Sequence, residues 1–260
     1  MTLKRFDPEK RKMILALDKA SFDTACKNSK TGEFLHDDAV QIITLPLNEE
    51  NRSYPVLQQL AQNNLLISGT LLAEDPFYAG NYLPLERFAE QTQLTKAELF
   101  ALLCQTLGAK KVIFHVNQSS DKNQNAKAEA EVTGTMGDYA DIDTSARAGL
   151  SEKLYQKLTA NHEYDGHEPT AEDFLEAEAL IHRHRLDSTF KHILESRKHK
   201  NAIKQSKVSL ELSSETDKTF NIATKFSIKI TEELAGIKGS INVNSKSVQK
   251  MTVETTVIFA

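Results

Sequence analysis

The sequence predicts an α+β fold in which helices cover one face of an antiparallel sheet. The last fifty residues contain four segments where apolar and polar side chains alternate. That period of two is typical of strands with one buried and one solvated face. Two long helices are predicted before this run, at about 142–160 and 171–199, because apolar residues recur there at helical spacing. The sequence therefore predicts a C-terminal antiparallel four-stranded run covered on one face by helices.

The clearest alternation lies between residues 220 and 230. One face carries large apolar side chains, and the other carries Lys225 and Lys229 among small polar residues. We expect 206–260 to form one antiparallel unit with the lysines exposed. The side chains expected to be buried are Phe220, Ile222, Phe226 and Ile228.

Shorter elements are predicted in the first half of the chain. Asp7 and Pro8 favour the start of a helix that would continue through Met13 and Leu17. Thr95 and Glu98 have the spacing of a capping box, which predicts a new helix there, ended by a left-handed glycine at 108. The other predicted segments are strands at 40–45, 65–72 and 111–116, and short helices at 56–63 and from Pro84.

Composition indicates an ordinary globular protein. The chain has 260 residues, is 40% hydrophobic and carries a net charge of −4, which gives no overall attraction to nucleic acid. Lacking a linker-like segment, it is interpreted as a single α+β domain, 1–260, with a possible sub-boundary near 118–126. No segment is long and apolar enough to be a transmembrane helix or signal peptide, so we expect a cytoplasmic protein. Cys26 and Cys104 are expected to lie in helices as small apolar residues.

Histidines and acids cluster between residues 162 and 184, but their spacing argues against a metal site. His182 and His184 are two residues apart on a predicted helix, so they would point in nearly opposite directions. His162 and His167 flank a turn without any recognised ligand motif. We therefore expect no bound metal and no cofactor.

The predicted helix 171–199 is acidic at its beginning and basic at its end. This polarity complements the helix dipole, which is the simplest explanation for it. A functional alternative is a local basic patch that would bind phosphate groups. Its residues would be Arg197, Lys198, Lys200 and Lys204.

An aromatic loop, residues 76–82, is the candidate partner-binding site. It carries Phe77, Tyr78 and Tyr82 between a predicted strand and a predicted helix. Loops held by rigid elements often carry recognition residues, and tyrosine offers a large contact area with few rotamers to fix. The competing interpretation is that Phe77 and Tyr82 fold inward and only close the core. We expect Tyr78, at the centre, to be exposed.

The favoured function is that of a non-catalytic soluble protein acting through contacts with another protein, as in a multi-protein system. The chain lacks a nucleophile elbow, a P-loop and a dinucleotide-binding fingerprint. Its partner and oligomeric state are not specified by the sequence. A hydrolase or nuclease with dispersed histidines and carboxylates remains an alternative, so enzyme activity is left open. The carboxylates considered are Glu74, Asp75, Glu129, Glu131, Asp138, Asp141 and Asp143.

A membrane-acting function is the other alternative. The C-terminal strands are rich in serine and threonine, and alternating strands of this kind also suit a membrane barrel. Two predicted helices separate the strand-like segments 111–136 and 207–259. This order of elements resembles that of gasdermin and perforin-like pore formers, in which segments beside a bent sheet refold into hairpins. The resemblance rests on element order alone and implies no residue roles.

Overall fold

The computed structural model describes residues 12–27, 39–117, 162–212 and 251–260. They combine helices with two four-stranded sheets, so the predicted α+β class is confirmed. The described residues cluster into two compact units, 12–27 with 39–91 and 92–117 with 162–212 and 251–260. The single-domain interpretation stays a prediction. The possible sub-boundary near 118–126, the helix at 142–160 and the two middle strands of the predicted C-terminal run, 220–230 and 237–244, lie outside the described residues.

The first unit contains a mixed sheet with strand order β2-β1-β3-β4. Strands β1 and β2 run parallel and are joined through helix α1, whereas β3 and β4 are antiparallel neighbours. Apolar residues from the sheet pack with Leu57 and Leu60 of α3 to form a core. The elements are β1 (Met13–Asp18), α1 (Lys19–Lys27), β2 (Val40–Leu45), α2 (Glu49–Arg52), α3 (Pro55–Gln62), β3 (Leu71–Glu74) and β4 (Tyr82–Pro84).

The prediction of a helix through Met13 and Leu17 is wrong, because this segment forms strand β1. Its residues are buried on both faces of the sheet, from Met13 at 0% exposure to Leu17 at 1%. A strand that is covered on both faces has apolar residues at every position. Its sequence therefore lacks the alternation that would distinguish it from a short buried helix. The strand 40–45 is confirmed as β2. The strand predicted at 65–72 occurs later, as β3.

The end of β1 is fixed by Asp18, which caps helix α1. Its carboxylate accepts hydrogen bonds from the backbone and hydroxyl of Ser21 and from the hydroxyl of Ser68, the last at 2.6 Å. The Ser68 hydroxyl bond, followed by those from Ser21, lowers the pKa of Asp18 to about 2, because each favours the ionised carboxylate. Asp18 therefore joins the strand, the helix start and the loop before β3.

The long helix α4 (Leu85–Thr106) begins in the first unit and ends in the second. We predicted two helices here, one from Pro84 and another capped by Thr95, but Thr95 lies inside one continuous helix. A capping box stabilises a helix start only where the chain enters the helix from outside. Gly108 adopts the predicted left-handed conformation after the helix, with φ of +79°.

The second unit contains an antiparallel sheet with strand order β6-β5-β8-β7. Strands β7 and β8, the first and last of the predicted C-terminal run, pair directly with each other, and β8 also pairs with β5. The predicted alternation is confirmed in part on β8, where Val253 and Val257 are buried and Glu254 is exposed. Thr256, which the pattern placed on the polar face with Glu254, is buried as well. The elements after α4 are β5 (Ala109–Asn117), β6 (His162–Glu163), α5 (Ala171–Arg183), α6 (Ser188–Lys198), β7 (Gln205–Leu212) and β8 (Met251–Phe259).

The prediction of a single helix at 171–199 is wrong in one respect, because this segment forms two helices, α5 and α6. Arg185 adopts a left-handed conformation with φ of +52°, which ends the first helix. Asp187 then accepts a hydrogen bond from the backbone N–H of Thr189 and caps the second. Lys96 of α4 fixes this junction, since its ammonium is buried and lies 2.6 Å from Asp187 Oδ2 and 2.6 Å from the carbonyl oxygen of Glu211.

Candidate functional site

The aromatic loop joins β3 to β4 in the first unit, and its backbone is held by hydrogen bonds from several directions. The N–H of Asp75 donates to the carbonyl of Asn81 at 2.7 Å, which closes the base of the loop. The N–H of Asn81 donates to the carbonyl of Tyr78, and the N–H of Phe77 donates to the carboxylate of Asp75. These bonds fix the loop conformation without a bound partner.

The side chain of Glu74, at the end of β3, also holds the loop. One carboxylate oxygen accepts the N–H of Gly80 at 3.1 Å, and the other forms an ion pair with Lys12. The Glu74 side chain is almost fully buried, so its charge requires these partners. Glu74 and Asp75, which the sequence offered as acid–base groups, therefore have structural roles in the loop. The sequence analysis missed Lys12, because the pair joins residues 62 positions apart.

The three aromatic side chains of the loop have different environments. Tyr82 is the first residue of β4 and is 1% exposed within the core of the first unit, while Phe77 is half-buried. Burial, with a smaller contribution from the carboxylate of Glu74, raises the pKa of Tyr82. Tyr78 is 44% exposed, as expected. Tyr82 therefore belongs to the core, and Tyr78 is the most exposed of the three aromatic residues.

This difference predicts unequal costs for two alanine substitutions. Tyr82→Ala is expected to lower the free energy of unfolding by about 3–5 kcal/mol, because it empties a buried aromatic site. Tyr78→Ala is expected to cost less than about 1 kcal/mol, because much of the side chain is already in water. Urea unfolding followed by circular dichroism would measure both, and equal costs would contradict this assignment of the two rings.

The four residues of the predicted basic patch do not share one environment, and Arg197 is buried. Arg197 is only 6% exposed, and its guanidinium donates to the carbonyls of Leu107 at 3.2 Å and Ile203 at 2.9 Å. The guanidinium carbon also lies 4.4 Å from the ring centroid of Phe259. Burial lowers the pKa of Arg197, and the negative charge of Glu168 acts in the opposite direction. Arg197 therefore joins α6 to β8 rather than presenting its charge to solvent.

The other residues of the patch lie on the surface. Lys198 forms ion pairs with Glu178 of α5 and Glu195 of its own helix, and the hydrogen bond to Glu178 raises the pKa of Lys198. Lys200 and Lys204 are exposed, and neither forms an ion pair with a described residue. Phosphate binding stays a prediction, and it now rests on Lys200 and Lys204 rather than on four basic residues.

The histidines between 162 and 184 are distributed over separate local environments. His162 lies edge-on to Phe114 and stacks with Tyr164, and His167 lies 3.5 Å from the carboxylate of Asp173. His184 is buried at the C-terminal end of α5. Within the described residues, no group of three or more His, Cys, Asp or Glu side chains could hold a metal ion.

The cysteines of the chain lie in helices, as predicted. Cys104 of α4 is fully buried, and its burial raises the pKa of the thiol, which keeps it protonated and unreactive. Cys26 of α1 is partly exposed. Across the described ranges, no helix combines the length and apolar character needed to cross a bilayer.

Comparison with known proteins adds no relationship. No protein-family model matches the chain, and neither the curated proteins nor the solved structures include a significant match.

Proposed function

We propose that this chain is a non-catalytic protein that acts by binding another protein, with Tyr78 as the anchor of the contact. The observation that carries the proposal is an exposed tyrosine ring on a loop whose conformation is already fixed. Tyr78 is 44% exposed, and the backbone around it is held by hydrogen bonds in which the Glu74 and Asp75 carboxylates accept and the Asp75 and Asn81 backbone N–H groups donate.

A fixed loop lowers the cost of binding. Association loses free energy when flexible side chains and loops become ordered, and a loop that is ordered beforehand avoids part of that loss. A tyrosine ring has few rotamers to restrict, and it combines apolar area with one hydroxyl that can form a hydrogen bond. Such rings are enriched among the residues that dominate the binding energy of protein interfaces.

The proposal is tested by quantitative affinity purification of the wild type, Tyr78→Ala and Tyr78→Phe from the native host. The recovered amount of at least one co-purifying protein is expected to fall about tenfold or more with Tyr78→Ala, because removing an anchor ring costs at least ~2 kcal/mol of binding energy. Tyr78→Phe keeps the ring and is expected to retain most of that protein.

Ile67→Ala provides the matched control. Ile67 is 60% exposed in the same unit, so this variant also removes exposed apolar area, but outside the aromatic loop. It is expected to retain the partner. A folded Tyr78→Ala variant that retains every co-purifying protein would contradict the proposal.

A further inference from the structure

Helix α5 of the second unit has an exposed face, opposite the one that it buries against the rest of the described residues. Its buried face consists of Ala177, Leu180 and Ile181. Leu175 points away from them and is 66% exposed, more than any other large hydrophobic residue in the described part of the chain. At 100° per residue, Leu175 lies about 200° around the helix from Ala177. Its exposure therefore follows from its position on the helix.

The residues above and below Leu175 on this face are small. Ala171 and Ala179, four positions before and after it, are both exposed. Residues four apart lie one above another on a helix, so this face presents one leucine between two alanines. Small side chains on either side of a large one allow another helix to approach to the 8–10 Å typical of packed helices.

One side of this row is acidic. Glu172 and Glu176 are exposed, and neither forms an ion pair with any residue that the structure describes. Two other acids of the same helix have partners, since Glu178 pairs with Lys198 and Asp173 lies 3.5 Å from His167. Glu172 and Glu176 therefore leave a negative edge beside the apolar row.

We propose that this face of α5 is a docking surface for an amphipathic helix of another protein, with leucine-sized residues on one side flanked by lysine or arginine. The apolar side would cover Leu175, and the basic flank would lie against Glu172 and Glu176. A second copy of this chain fits poorly, because it would bring the same two carboxylates to the contact. An anionic surface is disfavoured for the same reason. Leu175 belongs to the second unit and Tyr78 to the first, and this proposal does not depend on the function proposed above.

A synthetic peptide tests the surface directly. The probe is a fluorescent 18-residue lysine–leucine helix with its leucines on one face, and binding to the intact protein is measured by fluorescence anisotropy at several salt concentrations. The wild type is expected to bind saturably. Leu175→Ser is expected to weaken binding about tenfold or more without any change of charge. The double variant Glu172→Gln/Glu176→Gln is expected to weaken binding several-fold and to reduce its salt dependence.

Three controls separate docking from general attraction between a basic peptide and an acidic protein. A peptide of the same composition with scrambled spacing is expected to bind weakly. The double variant Glu49→Gln/Glu50→Gln removes the same charge from α2, where both residues are exposed, and is expected to leave binding unchanged. Tyr78→Ala is likewise expected to have no effect. Absence of binding, equal binding of the scrambled peptide, or full binding by a correctly folded Leu175→Ser variant would overturn the proposal.

Discussion

Replacing Gly108 with alanine is expected to lower the free energy of unfolding by more than about 3 kcal/mol. Gly108 has φ of +79°, where a non-glycine residue alone costs roughly 1–2 kcal/mol. A Cβ atom at this position would also lie 1.9 Å from the carbonyl oxygen of His167 and 3.0 Å from its carbonyl carbon. These are backbone atoms, so rotation of a side chain cannot relieve the overlap. Either β5 or the segment between β6 and α5 would have to move.

Gly80 offers a matched control for the effect of φ alone. Its φ of +78° is nearly the same, but a Cβ atom there would meet only the Cγ2 atom of Val56, at 3.8 Å. Gly80→Ala is therefore expected to cost only the ~1–2 kcal/mol of the left-handed conformation. Because the two glycines lie in different units, urea unfolding should be combined with hydrogen exchange read separately at β3 and β5. Equal costs for the two substitutions would show that the contact with His167 does not constrain the fold.

The parts of the fold that the sequence predicted well are those where a local pattern determines the outcome. On β8 the buried Val253 and the exposed Glu254 are adjacent in the chain, and this local alternation already indicates a strand and the face that it buries. Gly108 follows an apolar helix and precedes an apolar strand, which is enough to predict a helix end. In both cases the residues that decide the structure are close together in the chain.

The predictions failed where distant residues decide the structure. Strand β1 is an apolar run whose identity depends on its pairing with β2 and β3, far along the chain. The division of 171–199 depends on Asp187, which caps α6 while its carboxylate binds the ammonium of Lys96, 91 positions away. A helical pattern of apolar residues continues through the junction, because Leu186 is buried there as well.

The candidate sites show the same limit. The sequence placed three aromatic rings in one loop, but burial of Tyr82 and exposure of Tyr78 depend on the core beneath them. Leu175, by contrast, could have been found from the sequence. It is a large apolar residue that does not fit the stripe formed by Ala177, Leu180 and Ile181, and helical geometry alone places it outside.

Arg197 provides the second large expected effect, because it is a buried cation within the segment that the sequence predicted to be a basic surface patch. Arg197→Ala is expected to lower the free energy of unfolding by about 3–5 kcal/mol. The variant loses two hydrogen bonds from a charged donor, each worth roughly 1.5–3 kcal/mol, and a contact with the Phe259 ring worth about 1–2 kcal/mol, and such losses are not fully additive. Urea unfolding of the variant and wild type would measure the difference.

The neighbouring Lys198 is the control. Its ion pairs with Glu178 and Glu195 lie on the surface, where pairs of this kind contribute about 0–1 kcal/mol, so Lys198→Ala is expected to change stability only slightly. Arg197→Lys keeps the charge but loses the planar donor geometry, so its stability is expected to fall between those of Arg197→Ala and the wild type. The cost of Arg197→Ala is also expected to persist at high salt, because the guanidinium is largely shielded from solvent. If Arg197→Ala were as mild as Lys198→Ala, Arg197 would not hold α6 against β8, and its charge would again count toward a basic patch on the surface.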